Sequence, residues 1–359
     1  MQRTKLSHLS KETPVERIFQ KVVGSRKEDD GGGRTNIIVL GPEQFQLQAR
    51  CPLCHAGTFR ELGRPCYQRI YEVPRGWVML DEETIRQRVL VRCSDCDLVY
   101  NRFIPRAETL DYLYNLPTDG STWKFVTKGR QMEDKLGFLG LLPRDEKLRV
   151  LDVGCYTGGF LSLLPDHWIK HGIDPIPQAL DVAKQSLPAA RFTQDSLKDF
   201  RGPDGSYDLI TLWDVAEHLD DVDGALRKVS SLLADCGLVV IETGDVGSVF
   251  ARVMRQGWWY VNMLEHFCFF SRDTLKRALP RYGLEVMTCK KTIHHFDWAQ
   301  AFKTQPLFWG YFAVTLGGRV STFWVAISNA LNRRCCSQIP ASRDHVFLIA
   351  RKAAKSSVL

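Results

Sequence analysis

The chain lacks several features that would each have settled a class. The opening residues MQRTKLSHLSKETPVERIF hold no apolar core of signal-peptide length, so an export signal is not expected. No stretch of about 18 residues is strongly apolar and free of charge, which argues against a spanning helix. There is no internal repeat of fixed period, which excludes solenoid and propeller architectures. Acidic residues are scarce at one end: from Ser271 to Leu359 there are 14 Lys/Arg against 4 Asp/Glu, whereas residues 1–270 hold 34 against 37. A general nucleic-acid coat would be basic throughout. The concentration of charge in the last quarter points instead to a local anionic partner or a solvated basic surface.

What the chain has is length and cysteine. Its 359 residues, 44% hydrophobic and 25% charged, suffice for two or three soluble globular units. Eleven cysteines without an export signal suggest a reducing, cytoplasmic setting, where thiols more often ligate metals than form disulfides. Two pairs, CPLC (Cys51, Cys54) and CSDC (Cys93, Cys96), have the x₂ spacing of metal knuckles, and together they make the tetrahedral Cys₄ set that zinc prefers. Four protein ligands leave no open position, so the ion would be structural, and its loss is expected to unfold the module while sparing cofactor binding. The rival reading is two unrelated pairs of buried thiols. A redox role fits less well, because neither pair opens a helix after a strand. His55 and Cys66 read as non-ligands.

Composition divides the chain into a charged, glycine-rich flexible segment (1–48), the cysteine module (49–102), a helical connector (103–146), a larger domain (147–352) and a short tail (353–359). In the larger domain, LRVLDVG, WIKHGIDP, ARFTQDS, YDLITLWD, GLVVIET, LEVMTCKK and DHVFLIARK read as strands, the first five alternating with helical stretches. That alternation predicts an α/β fold with a Rossmann-like parallel sheet covered on both faces.

The turn VLDVGCYTGGFL ends the first strand in Asp152, and Gly154 and Gly158 allow a tight loop, with a helix expected from about Gly159. An acid ahead of the glycines is poor company for a pyrophosphate but suits a cationic ligand. Asp174, ending the second strand, suits ribose hydroxyls. Asp195, after the third, suits an adenine amino group. Tyr156 stands in the middle of the loop; it would obstruct a pyrophosphate but need not obstruct a compact sulfonium ligand held by main-chain groups. The ligand implied is S-adenosylmethionine.

On VLDVGCYTGGFL, GIDP, YDLITLWDVAEHLDDV, LRKVSSLLADCGLVVIET and EHFCFFSRDTLKRALPRYGLEV, the stretch from about Val150 to Lys352 resembles class I S-adenosylmethionine-dependent methyltransferases of the small-molecule type. The resemblance implies a seven-stranded sheet whose last strand is antiparallel. It also implies cofactor contacts at Asp152, Gly154, Gly158, Asp174, Asp195, Leu212 and Trp213, and Tyr156 joins these as a loop position. The leading cysteine module resembles that of bacterial sugar-methylating enzymes. Those that methylate carbon carry a sizeable further domain, so O-methylation of a sugar or glycan precursor, lipid- or nucleotide-linked, is the expectation here.

A hydroxyl acceptor wants a base. His266 (in MLEHFCFF) is preferred over His218, which follows Glu217 in DVAEHLDD; both lie just past strands and either one could instead cap a helix. The aromatic WWYVNMLEHFCFF reads as a sugar-stacking wall or as core. Some related O-methyltransferases use the acids and histidine of the motif that matches DVAEHLDD for a divalent metal. Within an apolar insertion at about 293–342, residues 306–334 form two short amphipathic stretches, read either as a lid or as peripheral membrane contact. The rival functions are an RNA methyltransferase, which the acidic balance of residues 1–270 opposes, and a non-catalytic binding protein that kept the fold.

Overall fold

In the computed structural model the described residues are 36–65, 69–73, 76–115, 137–138, 140, 142–143, 145–292 and 344–353. The apolar stretch 306–334, Cys66, His294 and His295 lie outside them. No helix among the described residues is long and apolar enough to cross a membrane.

The N-terminal part is made of short strands. β1 (Asn36–Leu40), β2 (Phe45–Leu47), β3 (Phe59–Gly63), β4 (Arg69–Val73) and β5 (Gly76–Leu80) lead to α1 (Glu82–Gln87). β6 (Leu90–Cys93), β7 (Val99–Asn101), β8 (Phe103–Pro105) and α2 (Ala107–Tyr114) follow. Thus the long gap between the cysteine pairs is filled by β3, the β4–β5 hairpin and α1. β1 and β2 fall inside the segment expected to be flexible. Its apolar residues explain the difference: Leu40 and Phe45 are buried with Val78, Leu80, Phe103 and Leu113. α1 starts where Asp81 accepts the Thr84 N–H, satisfying one of the donors that a helix start leaves open.

The larger domain is built on β9 (Arg149–Val153), β10 (Ile169–Ile173), β11 (Arg191–Thr193), β12 (Tyr207–Trp213), β13 (Leu233–Gly244), β15 (Leu284–Thr292) and β16 (His345–Lys352). They form one sheet in the order β11-β10-β9-β12-β13-β16-β15, in which β16 is antiparallel to both its neighbours and β9 to β13 are parallel. This is the Rossmann-like sheet that the alternating apolar runs predict, with the reversed last strand. Helices α3 (Pro177–Ser186), α4 (Val222–Leu232), α5 (Val249–Met254), α6 (Trp259–Asn262) and α7 (Arg272–Ala278) complete the described part. α4 is amphipathic, burying Val222, Ala225, Leu226, Val229 and Leu232 against the sheet. Each buried Val or Leu there contributes roughly 1.5–3 kcal/mol.

The remaining strand, β14 (Cys268–Phe269), leaves the larger domain and pairs with β7, so the order β14-β7-β6-β3 joins the two regions in one sheet. A single core cluster likewise runs from Cys51, Val91, Leu98 and Tyr100 to Leu151, Ile210 and Ile241. Polar links reinforce the seam. The Asp223 N–H donates to Pro52 O (3.0 Å) and Arg277 Nη2 donates to Asp97 Oδ2 (2.7 Å).

Candidate functional site

The four cysteines of the two knuckles converge. Cys51 and Cys96 sulfurs are 3.5 Å apart, Cys54 and Cys93 3.4 Å, and all four lie within 4.8 Å of one another. Tetrahedral zinc–thiolate bonds of about 2.3 Å place sulfurs about 3.8 Å apart, so the set is the right size for one ion. The two knuckles are built alike. His55 N–H donates to Cys51 O and Asp97 N–H to Cys93 O, and the residue after each second cysteine is left-handed (His55 φ 60°, Asp97 φ 63°). Burial, followed by the neighbouring thiols, pushes Cys54 up to about 12, so a bound cation would be needed to hold Cys54 as a thiolate. His55 Nε2 lies 3.3 Å from Asp223 Oδ2.

The loop after β9 folds over the ends of the parallel strands. Gly154 and Cys155 N–H groups both donate to Ile173 O, and Tyr156 N–H donates to Asp174 Oδ2 (2.8 Å). Ile176 N–H donates to Asp174 Oδ1 (2.9 Å), so this carboxylate holds both loops of the crevice. Burial keeps Asp174 above its ordinary range despite those two bonds. Asp152 accepts from Thr211 Oγ1 (2.6 Å) across the β9–β12 register. Gly154 is left-handed (φ 68°), and a Cβ there would come within 2.5 Å of Val215 Cγ2. Gly158 is left-handed too, and so is Tyr156 (φ 50°). The helix expected from Gly159 is absent: only a single 3₁₀ turn, Leu161–Leu163, forms before Pro165. A proline four residues beyond its start leaves no room for α-helical bonding, and the residue before a proline is pushed out of the α region.

Leu212 and Trp213 point to opposite sides of β12, Leu212 into the core that includes the cysteine module and Trp213 onto Phe160 and Phe347. Side chains so placed fill the core, leaving the strand-end main chain to reach a ligand. Asp195 is half-buried just past β11.

Past β12 and β13, Glu217, His218 and His266 bring their ligating atoms within 4.8 Å of one another. Glu217 is fully buried; Thr243 Oγ1 donates to its Oε2 (2.7 Å) and the Tyr260 hydroxyl to its Oε1. Burial pushes both Glu217 and Tyr260 up, favouring their neutral forms. His218 Nδ1 lies 2.9 Å from Glu265 O and His266 Nδ1 2.9 Å from Tyr260 O. A carbonyl can only accept, so each Nδ1 carries the proton and each Nε2 keeps its lone pair in the neutral ring. The rings meet edge to face with centroids 4.8 Å apart.

No sequence motif marks Thr243, Tyr260, Trp258, Asp344 or His345 as site residues. His345 is fully buried, 3.1 Å from Asp344 Oδ1 and 3.5 Å from Asp214 Oδ1. Burial alone would lower it, but the Asp344 bond and both acids hold it above its ordinary value. Trp258 Nε1 donates to Asp344 Oδ2 (3.3 Å). Only the aromatic run WWYVNM hinted at this cluster. Trp258, Tyr260, Phe267, Phe269 and Phe270 are all buried, so those rings are core and offer no open stacking wall for a sugar.

Three comparisons bear on this site. Residues 123–288, just under half of the chain, match a family model described as a methyltransferase domain. A tocopherol O-methyltransferase of Arabidopsis thaliana is 25% identical over 189 residues, 48% of this chain and 53% of that protein. A ubiquinone biosynthesis O-methyltransferase of Methylocella silvestris is 30% identical over 118 residues, 28% of this chain and 44% of the other. The chain thus spans about half the length of the curated relatives it matches. Among solved structures, a putative S-adenosylmethionine-dependent methyltransferase from Listeria monocytogenes is 15% identical, with a TM-score of 0.43 over 63% of this chain and 99% of that one. The family match falls on the part of the chain that carries β9 to β13 of the Rossmann-like sheet.

Proposed function

We propose that this chain is an S-adenosylmethionine-dependent methyltransferase that methylates a hydroxyl of a sugar or glycan precursor, with His266 as the base. The observation that carries the reading is the pair of imidazoles past β12 and β13, each with Nδ1 facing a main-chain carbonyl, which puts the lone pair of the neutral ring on Nε2. Both relatives named above are O-methyltransferases, which supports an oxygen acceptor.

The residues fit the cofactor. Asp152 and Asp174 are acids buried at the ends of adjacent parallel strands, where a cationic, phosphate-free ligand compensates their charge. Asp174 would hold the ribose hydroxyls, Asp152 the amino group and Asp195 the adenine amino group, with the Gly154–Gly158 main chain against the methionine part. Bound there, S-adenosylmethionine supplies an activated methyl group. The chain orients the acceptor, excludes water, and takes the hydroxyl proton on His266 Nε2, while the Tyr260 carbonyl fixes the ring. His218 and Glu217 complete the polar edge. Zinc at Cys51, Cys54, Cys93 and Cys96 is proposed as structural.

Calorimetric titration with S-adenosylmethionine is the first test, and absence of binding to the full chain would reduce it to a scaffold that kept the fold. Transfer of a labelled methyl group to a panel of sugar, nucleotide-sugar and lipid-linked acceptors then decides the substrate class. Label appearing only on RNA would replace the sugar reading.

A further inference from the structure

Asn101, at the end of β7, is almost completely buried and grips two consecutive carbonyls of the catalytic segment. Its Nδ2 donates to His266 O (2.8 Å) and its main-chain N–H to Phe267 O (2.9 Å). From the opposite side Phe267 N–H donates to Glu217 O (2.7 Å), and Glu265 O accepts from His218 Nδ1. Residues 265–267 are therefore clamped between the cysteine module and the turn beyond β12.

β7 is itself the return strand of a hairpin whose turn is the second cysteine knuckle. Cys93 N–H donates to Leu98 O (2.9 Å) and Asp97 N–H to Cys93 O (3.2 Å), and Arg277 Nη2 ties Cys96 O (3.2 Å) to α7. Fixing Cys93 and Cys96 around one ion sets the register of β7 on β6, and the position of β7 sets that of the His266 main chain through Asn101 and the β7–β14 ladder.

We propose that Asn101 is a positioning residue for His266, and that metal binding at Cys51, Cys54, Cys93 and Cys96 is transmitted along β7 to the orientation and tautomer of that imidazole. The proposal rests on His266 as the proton acceptor. The physical reason is local. Without the Asn101 amide the buried His266 carbonyl loses the donor that ties it to β7, the main chain shifts, and the ring's bond to Tyr260 O lengthens. An imidazole released from that bond exchanges tautomers and no longer keeps its lone pair on Nε2. Displacement of a catalytic group by about 1 Å can cost about 100-fold in rate.

The test uses the full chain with ¹⁵N-labelled histidine, and its readout requires no acceptor. Comparison with His266→Gln assigns the His266 signals. In zinc-loaded wild type they show a single tautomer protonated at Nδ1. Asn101→Ala is expected to keep its zinc and to bind S-adenosylmethionine within about threefold of wild type, yet to show a mixture of tautomers at His266. Chelation of zinc from the wild type should give the same mixture. His266 signals unchanged in both Asn101→Ala and the metal-stripped protein would overturn the proposal. If Asn101→Ala does not fold, the near-isosteric Asn101→Leu, which has no donor, and the chelation experiment decide. Failure of wild type to bind S-adenosylmethionine would instead remove the methyl-transfer reading and leave the histidine spectra as they are.

Discussion

Tyr156 shows how much strain a single residue can tolerate in the glycine loop after β9. It adopts φ 50°, a region that costs a side-chain-bearing residue roughly 1–2 kcal/mol, while its N–H serves Asp174. Glycine there would relieve the strain but lose roughly 0.5–1 kcal/mol to a more flexible unfolded chain, besides the half-buried ring. Tyr156→Gly is therefore expected to change stability by no more than about 1 kcal/mol in denaturant titrations, and to leave S-adenosylmethionine affinity within about threefold. His266→Ala, by contrast, should lower the methyl-transfer kcat by about 100- to 10,000-fold with cofactor affinity retained. A variant at wild-type rate would dismiss the base. Asp223 adds a pH dependence. The Arg227 hydrogen bond, with help from Tyr282 and His55, lowers it from 3.8 to about 2. Its contribution is present above the unfolded value and is lost as pH falls from 3.8 towards about 2. After allowance for solvent screening that is about 1 kcal/mol, so Asp223→Asn should flatten the melting curve's pH dependence in that window.

At the scale of elements, the strands were the most legible part, because short runs rich in Val, Ile and Leu, bounded by turn residues and alternating with helical stretches, fit the strands of a covered sheet. The glycine loop was equally legible: Gly154→Ala, which combines φ 68° with a Cβ 2.5 Å from Val215, should abolish cofactor binding or fold poorly, read by calorimetry and thermal melting. The helix expected after it does not form, since LSLL has helical residues but Pro165 ends it too soon. β1 and β2 are not legible in the sequence, because strands of five and three residues flank a glycine and match no long period. The cysteine knuckles could be read from spacing alone, though not what they support. Cys51→Ser is expected to lose the metal, measured as zinc per chain, and to lower the melting temperature by several degrees.

For the whole molecule, the shared core from Cys51 to Ile241 and the β14–β7 ladder argue against an independently unfolding module. Scanning calorimetry of the metal-loaded chain should show one cooperative transition, and chelation should lower it as a unit rather than release a separate early peak. What the sequence determined by itself was whatever local spacing encodes: the order of strands, the glycine turn, the acids at strand ends and the paired thiols. What only the tertiary structure decided was which distant groups meet. Thr243, Tyr260 and Glu217 lie on three different segments, His345 arrives on the reversed last strand, and Asn101 reaches His266 across 165 positions. No periodicity records such meetings, because they are set by sheet order and by the burial of polar groups that must find partners wherever the fold puts them.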